Sequence, residues 1–437
     1  MPTNSQVPSF NLKVVVQQTG VKPDTLRAWE RRYGLPQPKR SDGNHRLYSQ
    51  RDVYIIKWLI SRQQEGMRIK QAVELWRRLE ARGQDPLLMT MSTQILSPSE
   101  PRAGGNTIIE LCEDWIDACL AFDEQRAEQV LSQAFALYHP KVVCVELLQR
   151  GIARISEGWY RGEVTVQQEH FASELAMRRL EALVMATPAP TRPGRILIGC
   201  PPEEEHTFGL LLLTFLLRRL GWQVLYLGAN VPVARMETTT LATRPQLVIL
   251  AAQQLHTAAS LLEMAQLLQQ EGVPLAFGGG IFNRLPALRD RIPGHFLGER
   301  LDLSSQVVEK LMATHHPLPV AESLSVAYHQ AQGHYCERQV HIEVHLFQSL
   351  QLMDIPHEYL ARTNAELGRN IVAALKLGDM DFLDTDTRWV KDLLNGYQPS
   401  ADRLHAYLEA YYQAARIHLG ERGDPIVTWL AKQIAKI

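Results

Sequence analysis

Three groups of residues in this 437-residue chain have types and spacings that suit chemistry. The first is His206 in PPEEEHTFG (201–209), with a carboxylate two residues earlier (Glu204) and a glycine three residues later (Gly209). It follows the apolar run RILIGC, at a strand-to-loop transition of the kind where α/β proteins bind ligands. The second is Trp159, followed ten and eleven residues later by Glu169 and His170 in EGWYRGEVTVQQEHFASE. The third is basic: KPDTLRAWERRY puts Arg27 and Arg31 one turn apart on one helix face, and the turn SDGNHR behind it is flanked by Arg40 and Arg46. Arginines so placed suit phosphates and base edges. Each group has a plainer reading when taken alone: a surface-loop histidine, a core tryptophan beside a solvated Glu-His pair, a solvated arginine face. Motifs of hydrolytic or redox catalysis are missing, with no paired-carboxylate cleft, nucleophile elbow, dinucleotide loop or P-loop. The expectation is a protein that is not an enzyme.

These residues need elements to hold them. Residues 10–82 read as short helices around a polar hairpin. Val14–Thr19, Gly20 and Lys22–Tyr33 have the layout of a helix–turn–helix, with Val15, Leu26 and Trp29 placed to pack inward. A Pro, Ser, Gly and Thr-rich stretch follows and reads as a linker. From Ile108 the apolar positions recur at helical spacing, consistent with about four helices. PAPTRPG (188–194) is a second linker. Strand and helix then alternate through RILIGCP, QVLYLGA, QLVILAA and PLAFGGG, the pattern of a doubly wound parallel sheet. Residues 320–437 are helical again. The expected class is therefore multidomain α and α/β: a winged helix-turn-helix domain (8–84), a linker (85–107), a four-helix-bundle cap (108–187), a Rossmann-like doubly wound parallel sheet (194–316) and a C-terminal all-α domain (320–437).

Charge agrees with this division. The whole chain carries a formal −1, yet residues 1–84 hold 16 Lys/Arg against 7 Asp/Glu, a surplus of nine. A basic head on an acidic body points to nucleic-acid contact confined to the amino-terminal part. Five widely spaced cysteines without a CxxC pair exclude a disulfide framework or zinc ribbon and suit a reducing cytoplasm. No run approaches 18 apolar residues, and the first residues lack the pattern of a signal peptide, so a soluble cytoplasmic protein with no membrane partner is expected.

LRAWERRYGLPQPKRSDGNHRLYSQRDV resembles the recognition helix, wing and following Tyr of the MerR family of winged-helix regulators. That resemblance implies a dimer on double-stranded DNA, with one recognition helix per half-site of a pseudo-palindromic operator. It places Thr25, Arg27 and Arg31 at base edges or nearby backbone, and Arg32, Arg40, His45, Arg46 and Tyr48 on phosphates. With no Cys before residue 112, thiolate metal sensing is disfavoured.

The sequence Glu204-x-His206-x-x-Gly209 resembles the D-x-H-x-x-G loop of cobalamin-binding domains, with Glu where the family often has Asp. The resemblance implies that His206 is the lower cobalt ligand, that the carboxylate holds its other nitrogen, and that Gly209 leaves room for the displaced nucleotide tail. YLGANVP, with Gly228, and LAFGGG, with Gly278, Gly279 and Gly280, are further family features beside the tail. Where relatives carry Ser or Thr after the third strand, this chain reads AAQQLHT, leaving Gln253 or Gln254 as substitutes; His256 reads as a loop histidine rather than a second ligand. The Trp159, Glu169, His170 spacing resembles the helical cap of light-responsive CarH-type repressors. There the resemblance implies Trp159 against the upper face of adenosylcobalamin, Glu169 at the adenosyl group, and His170 as the upper ligand after photolysis.

In the C-terminal region, His341 and His345 stand at i, i+4, a metal-binding spacing; with no third ligand in sequence they read as a surface helix face. The region also resembles helical sensory domains fused to cobalamin photoreceptors, a few of which carry a bilin, for which His329, His334 and Cys336 are loose candidate contacts. A partner-binding or oligomerisation domain is the other reading. The expected function is a transcriptional regulator, a repressor by family pattern, that binds adenosylcobalamin and changes assembly (homo-oligomer, dimer or tetramer) and DNA affinity in light. Its rivals are a light-independent cobalamin sensor and a corrinoid methyl-transfer module.

Overall fold

The computed structural model describes residues 8–19, 21–40, 46–64, 67, 69–81, 107–313, 325–350, 357–385 and 401–437. The expected linker at 85–107 lies outside them except for Thr107. The chain divides into two compact units, Met1–Gly104 and Gly105–Ile437.

The first unit runs β1 (Pro8–Asn11), α1 (Leu12–Thr19), α2 (Pro23–Tyr33), β2 (Lys39–Arg40), β3 (Arg46–Ser49), α3 (Gln50–Gln64) and α4 (Ile69–Ala81). The strands form an antiparallel sheet in the order β1-β3-β2. α2 starts on Pro23, whose fixed φ suits a first turn, and carries Asp24 at its start and Arg31 and Arg32 at its end, as the helix dipole favours. It stops at Gly34, where φ is +65° and the N–H is given to the Glu30 carbonyl. Val15, Leu26, Trp29, Tyr48, Trp58 and Trp76 fill the core, with the Trp58 and Trp76 rings edge to face at 5.2 Å.

The second unit opens with four helical segments: α5 (Ile108–Leu120), α6 (Glu124–Leu137), a turn at Pro140–Val142 leading through a π-helix (Val143–Gln149) into α7 (Arg150–Tyr160), and α8 (Val166–Met185). Thr107 with Glu110 and Thr165 with Gln168 form reciprocal caps on α5 and α8. Next come β4 (Arg195–Gly199), α9 (Phe208–Arg219), β5 (Gln223–Tyr226), α10 (Met236–Thr243), β6 (Leu247–Ala251), α11 (Leu255–Gln270), β7 (Leu275–Gly278), α12 (Gly280–Arg284), β8 (His295–Phe296) and α13 (Leu301–Ala313). All pairs are parallel, in the order β5-β4-β6-β7-β8. The order reverses between β4 and β6, which opens a crevice at their carboxyl ends.

Two helices do double duty. FGLLLLTFLLRR in α9 is apolar nearly all round because it is buried nearly all round. Leu210, Leu213 and Leu217 join the core of the sheet, while Leu211, Leu212, Phe215 and Leu216 join the core of the helical cap. α11 is buried along most of its length, with Glu263, Gln266 and Gln270 left exposed. Its residues share one core with α14 (Val326–Ser349), α15 (His357–Leu377), α16 (Ala401–Leu419) and α17 (Asp424–Ile434), and the Lys376–Glu263 ion pair adds a polar tie. The carboxy-terminal helices therefore continue the α/β core, where the sequence suggested a separate domain. No described helix is long and apolar enough to cross a membrane.

Candidate functional site

The loop after β4 carries the most constrained polar group of the crevice. Glu204 is 1% exposed. Its Oε1 lies 2.6 Å from the His206 Nδ1 and accepts the His206 backbone N–H at 3.0 Å. Its Oε2 accepts the Gln253 N–H and the Thr257 hydroxyl, each at 2.7 Å. Burial alone would raise this carboxyl, but the bonds from His206, Thr257 and the two backbone N–H groups hold it below the usual carboxylate range. The loop itself is pinned to the turn after β5: the Glu203 N–H donates to Asn230 Oδ1 at 3.0 Å, and the Asn230 N–H to the Glu204 carbonyl at 3.1 Å.

The His206 side chain is 61% exposed, so the pair is buried at one end and open at the other. Its bond to Glu204 raises its pKa above the ordinary value; burial works against that, and the charges of Glu204, Glu169 and Glu205 add to the rise. Nδ1 is committed to Glu204, which leaves Nε2 as the donor. Glu169 belongs to the first turn of α8, in the helical cap. Within the cap, Glu169 Oε1 accepts from Ser173 Oγ at 2.9 Å and Ser156 Oγ at 3.5 Å. His170 is exposed, with Nδ1 4.0 Å from Glu169 Oε2. Trp159, at the end of α7, is 42% exposed and packs its ring against Tyr160 at 4.9 Å.

The glycines line the carboxyl ends of the strands. Gly209 is in the first turn of α9, Gly228 turns the chain after β5, Gly278 ends β7 and Gly280 opens α12. Gly279 is the one that tolerates no side chain: its φ is +115° and a Cβ would meet the Ala252 carbonyl at 2.0 Å. Gln253, not Gln254, reaches across, its Oε1 accepting the Gly280 N–H at 2.8 Å. His256 sits in the first turn of α11 rather than in a loop, where burial and the charge of Arg369 lower its pKa. Helix formation begins at Leu255 because Gln254 and Thr257 cap each other.

In the first unit, α2 turns Leu26 and Trp29 inward and leaves Arg27, Arg31 and Arg32 exposed, with Thr25 half-buried. Arg27 Nη1 lies 3.3 Å from Asp24. Tyr48 departs from the sequence reading. It is fully buried, and its hydroxyl donates to Glu30 Oε1 at 2.5 Å beside the Arg46–Glu30 pair at 2.8 Å. Tyr48 thus braces β3 against α2 instead of reaching a phosphate, because its side chain falls on the inward face of the strand. His45 and the side chain of Arg40 lie outside the described residues.

Comparison with known proteins matches this architecture segment by segment. Residues 10–79 match the MerR HTH family regulatory protein model, and residues 111–184 and 194–301 match two B12 binding domain models. The HTH-type transcriptional repressor CarH of Myxococcus xanthus is 30% identical over 299 residues, covering 67% of this chain and 96% of the relative. The chain belongs to the B12-binding MerR-family regulators. CarA of the same organism, also an HTH-type transcriptional repressor, is 31% identical over 246 residues, 56% of this chain and 76% of that one. A Methanosarcina barkeri monomethylamine corrinoid protein covers 46% of this chain and 99% of its own at 18% identity, with a TM-score of 0.40. The family models and the two repressor relatives make this chain a cobalamin-binding transcriptional regulator with a DNA-binding head.

The residues present fit a corrinoid. An imidazole whose second nitrogen is held by a buried anion is the donor a single axial cobalt position requires. Sequence reasoning missed Thr257 and the Gln253 backbone as holders of Glu204; the visible signal was a threonine three residues after a glutamine at a strand end, a helix start. The Glu204–His206 pair has a definite pH signature. The histidine's contribution to stability is full below the ordinary histidine pKa and is lost as pH rises through its raised value. The carboxylate's contribution is present above the ordinary carboxylate pKa and is lost as pH falls through its lowered value. Replacing Glu204 with Gln is expected to lower the His206 pKa, followed by NMR titration of the cofactor-free chain. An unshifted His206 would show that the carboxylate does not act on the ring.

Proposed function

We propose that this regulator is a light-responsive repressor that uses adenosylcobalamin as its chromophore. The observation that carries this reading is the cap spacing Trp159, Glu169, His170 together with the pair of buried Glu204 and His206 in the β4 loop. Adenosylcobalamin supplies a cobalt–carbon bond that light can break. His206 Nε2 is the lower donor, and Glu204 fixes its tautomer. Trp159 and Glu169 shape the upper side for the adenosyl group, and the exposed His170 is the candidate for the upper position after the group has left. Gly209, Gly228, Gly278, Gly279 and Gly280 let backbone approach the nucleotide tail. In the head, Thr25, Arg27 and Arg31 face base edges while Arg32, Arg40, His45 and Arg46 hold phosphates on a pseudo-palindromic operator. A dimer or tetramer in the cytoplasm would bind such sites with avidity.

For the carboxy-terminal helices, continuous packing with α11 supports a role in the signalling body. Support for a bilin is thinner: His329 and Cys336 are exposed, His334 lies 3.7 Å from Glu337, and residues two apart on a helix, such as His334 and Cys336, do not face one another.

The test is operator binding and size-exclusion chromatography of protein loaded with adenosylcobalamin, in the dark and after green light. A changed assembly with changed DNA affinity is expected. Equal affinity and assembly in both samples would replace the photoreceptor with a light-independent vitamin sensor. In the same assay Arg31→Ala is expected to weaken operator binding by about 1–3 kcal/mol, the worth of a bidentate base contact. Undiminished binding would mean that another face of α2 meets the bases.

A further inference from the structure

The carboxy-terminal helices bring together three histidines that the sequence keeps apart. His341 and His345 stand one turn apart on α14, and His418 enters from the last turn of α16, which packs alongside α14. The ring centre of His418 lies 6.0 Å from that of His341 and 5.5 Å from that of His345. A tetrahedral ion with metal–nitrogen bonds of about 2.0–2.1 Å sets imidazole centres roughly 5 Å apart, close to this spacing.

A second observation points to a ligand. The Nε2 of His418 is buried without a hydrogen-bond partner. A buried polar atom left unpaired is costly, and a bound ion would satisfy it. Arg338, one turn before His341, is the charge that opposes a cation here. As placed, the three side chains do not converge on one metal-sized point. His341 is exposed, and its rotation is the movement that closes the set.

We propose that His341, His345 and His418 form a site for a divalent transition metal, with zinc the ion that an all-imidazole set suits. Three protein ligands leave a fourth position to water, the arrangement of an exchangeable ion. The ion ties α14 to the end of α16, and so clamps the helices that pack behind α11. This site is independent of the cobalamin crevice and of any response to light.

The experiment is calorimetric titration of the untagged, chelator-stripped full chain with zinc sulfate, paired with thermal unfolding with and without zinc. Wild type and His206→Ala are expected to take up one equivalent and to melt at higher temperature with zinc. His341→Ala and His418→Ala are expected to lose the site or to bind at least about tenfold more weakly, since even changes behind a ligand cost that much. His341 is exposed, so its replacement leaves the fold intact and guards against a folding defect in His418→Ala. No uptake by wild type, or uptake within tenfold of wild type in His341→Ala, would overturn the site.

Discussion

A carboxylate with 1% exposure must be answered on every side, and the answers to Glu204 organise the crevice. Its four bonds come from an imidazole, a hydroxyl and two backbone N–H groups, drawn from the loop after β4, the turn after β6 and the first turn of α11. Losing a partner of a buried charge costs more than the bond itself, because the desolvation remains. The loops are therefore fixed by the carboxylate, and the imidazole is fixed with them. If His206 holds cobalt as proposed, it would gain from this in two ways: one tautomer is selected, and the ring is oriented in advance.

The same carboxylate also holds Thr257 and the Gln253 N–H at the head of α11. α11 lies in one core with α15, while α9, which follows His206 directly, is shared between the sheet and the helical cap. The cap, the crevice and the carboxy-terminal helices are thus joined by two largely buried helices. Close-packed elements of this kind pass on displacements instead of absorbing them.

Periodic features were legible in the sequence and long-range ones were not. Helical spacing in the cap and alternating strand and helix after Arg195 are local patterns, and both were read from residue types alone. β1 and β8 are too short to carry a pattern. The bonds of Glu204 to Gln253 and Thr257 span 49 and 53 residues, so no spacing rule could have revealed them. The family resemblance put Tyr48 on phosphates, yet its side chain falls on the buried side of β3, where its hydroxyl meets Glu30. α9 was legible as a helix, but its all-round apolarity gained meaning only when a second core was found against it. His418 was passed over for the same reason: its neighbours come from another helix.

The central claim is that His206, held by Glu204, is the cobalt ligand of this regulator. The most direct measurement is the absorption spectrum and retained cofactor of the full chain loaded with adenosylcobalamin in the dark, compared between wild type and His206→Ala. A changed cobalt spectrum and weaker retention are expected in the variant. An unchanged spectrum with unchanged retention would contradict it.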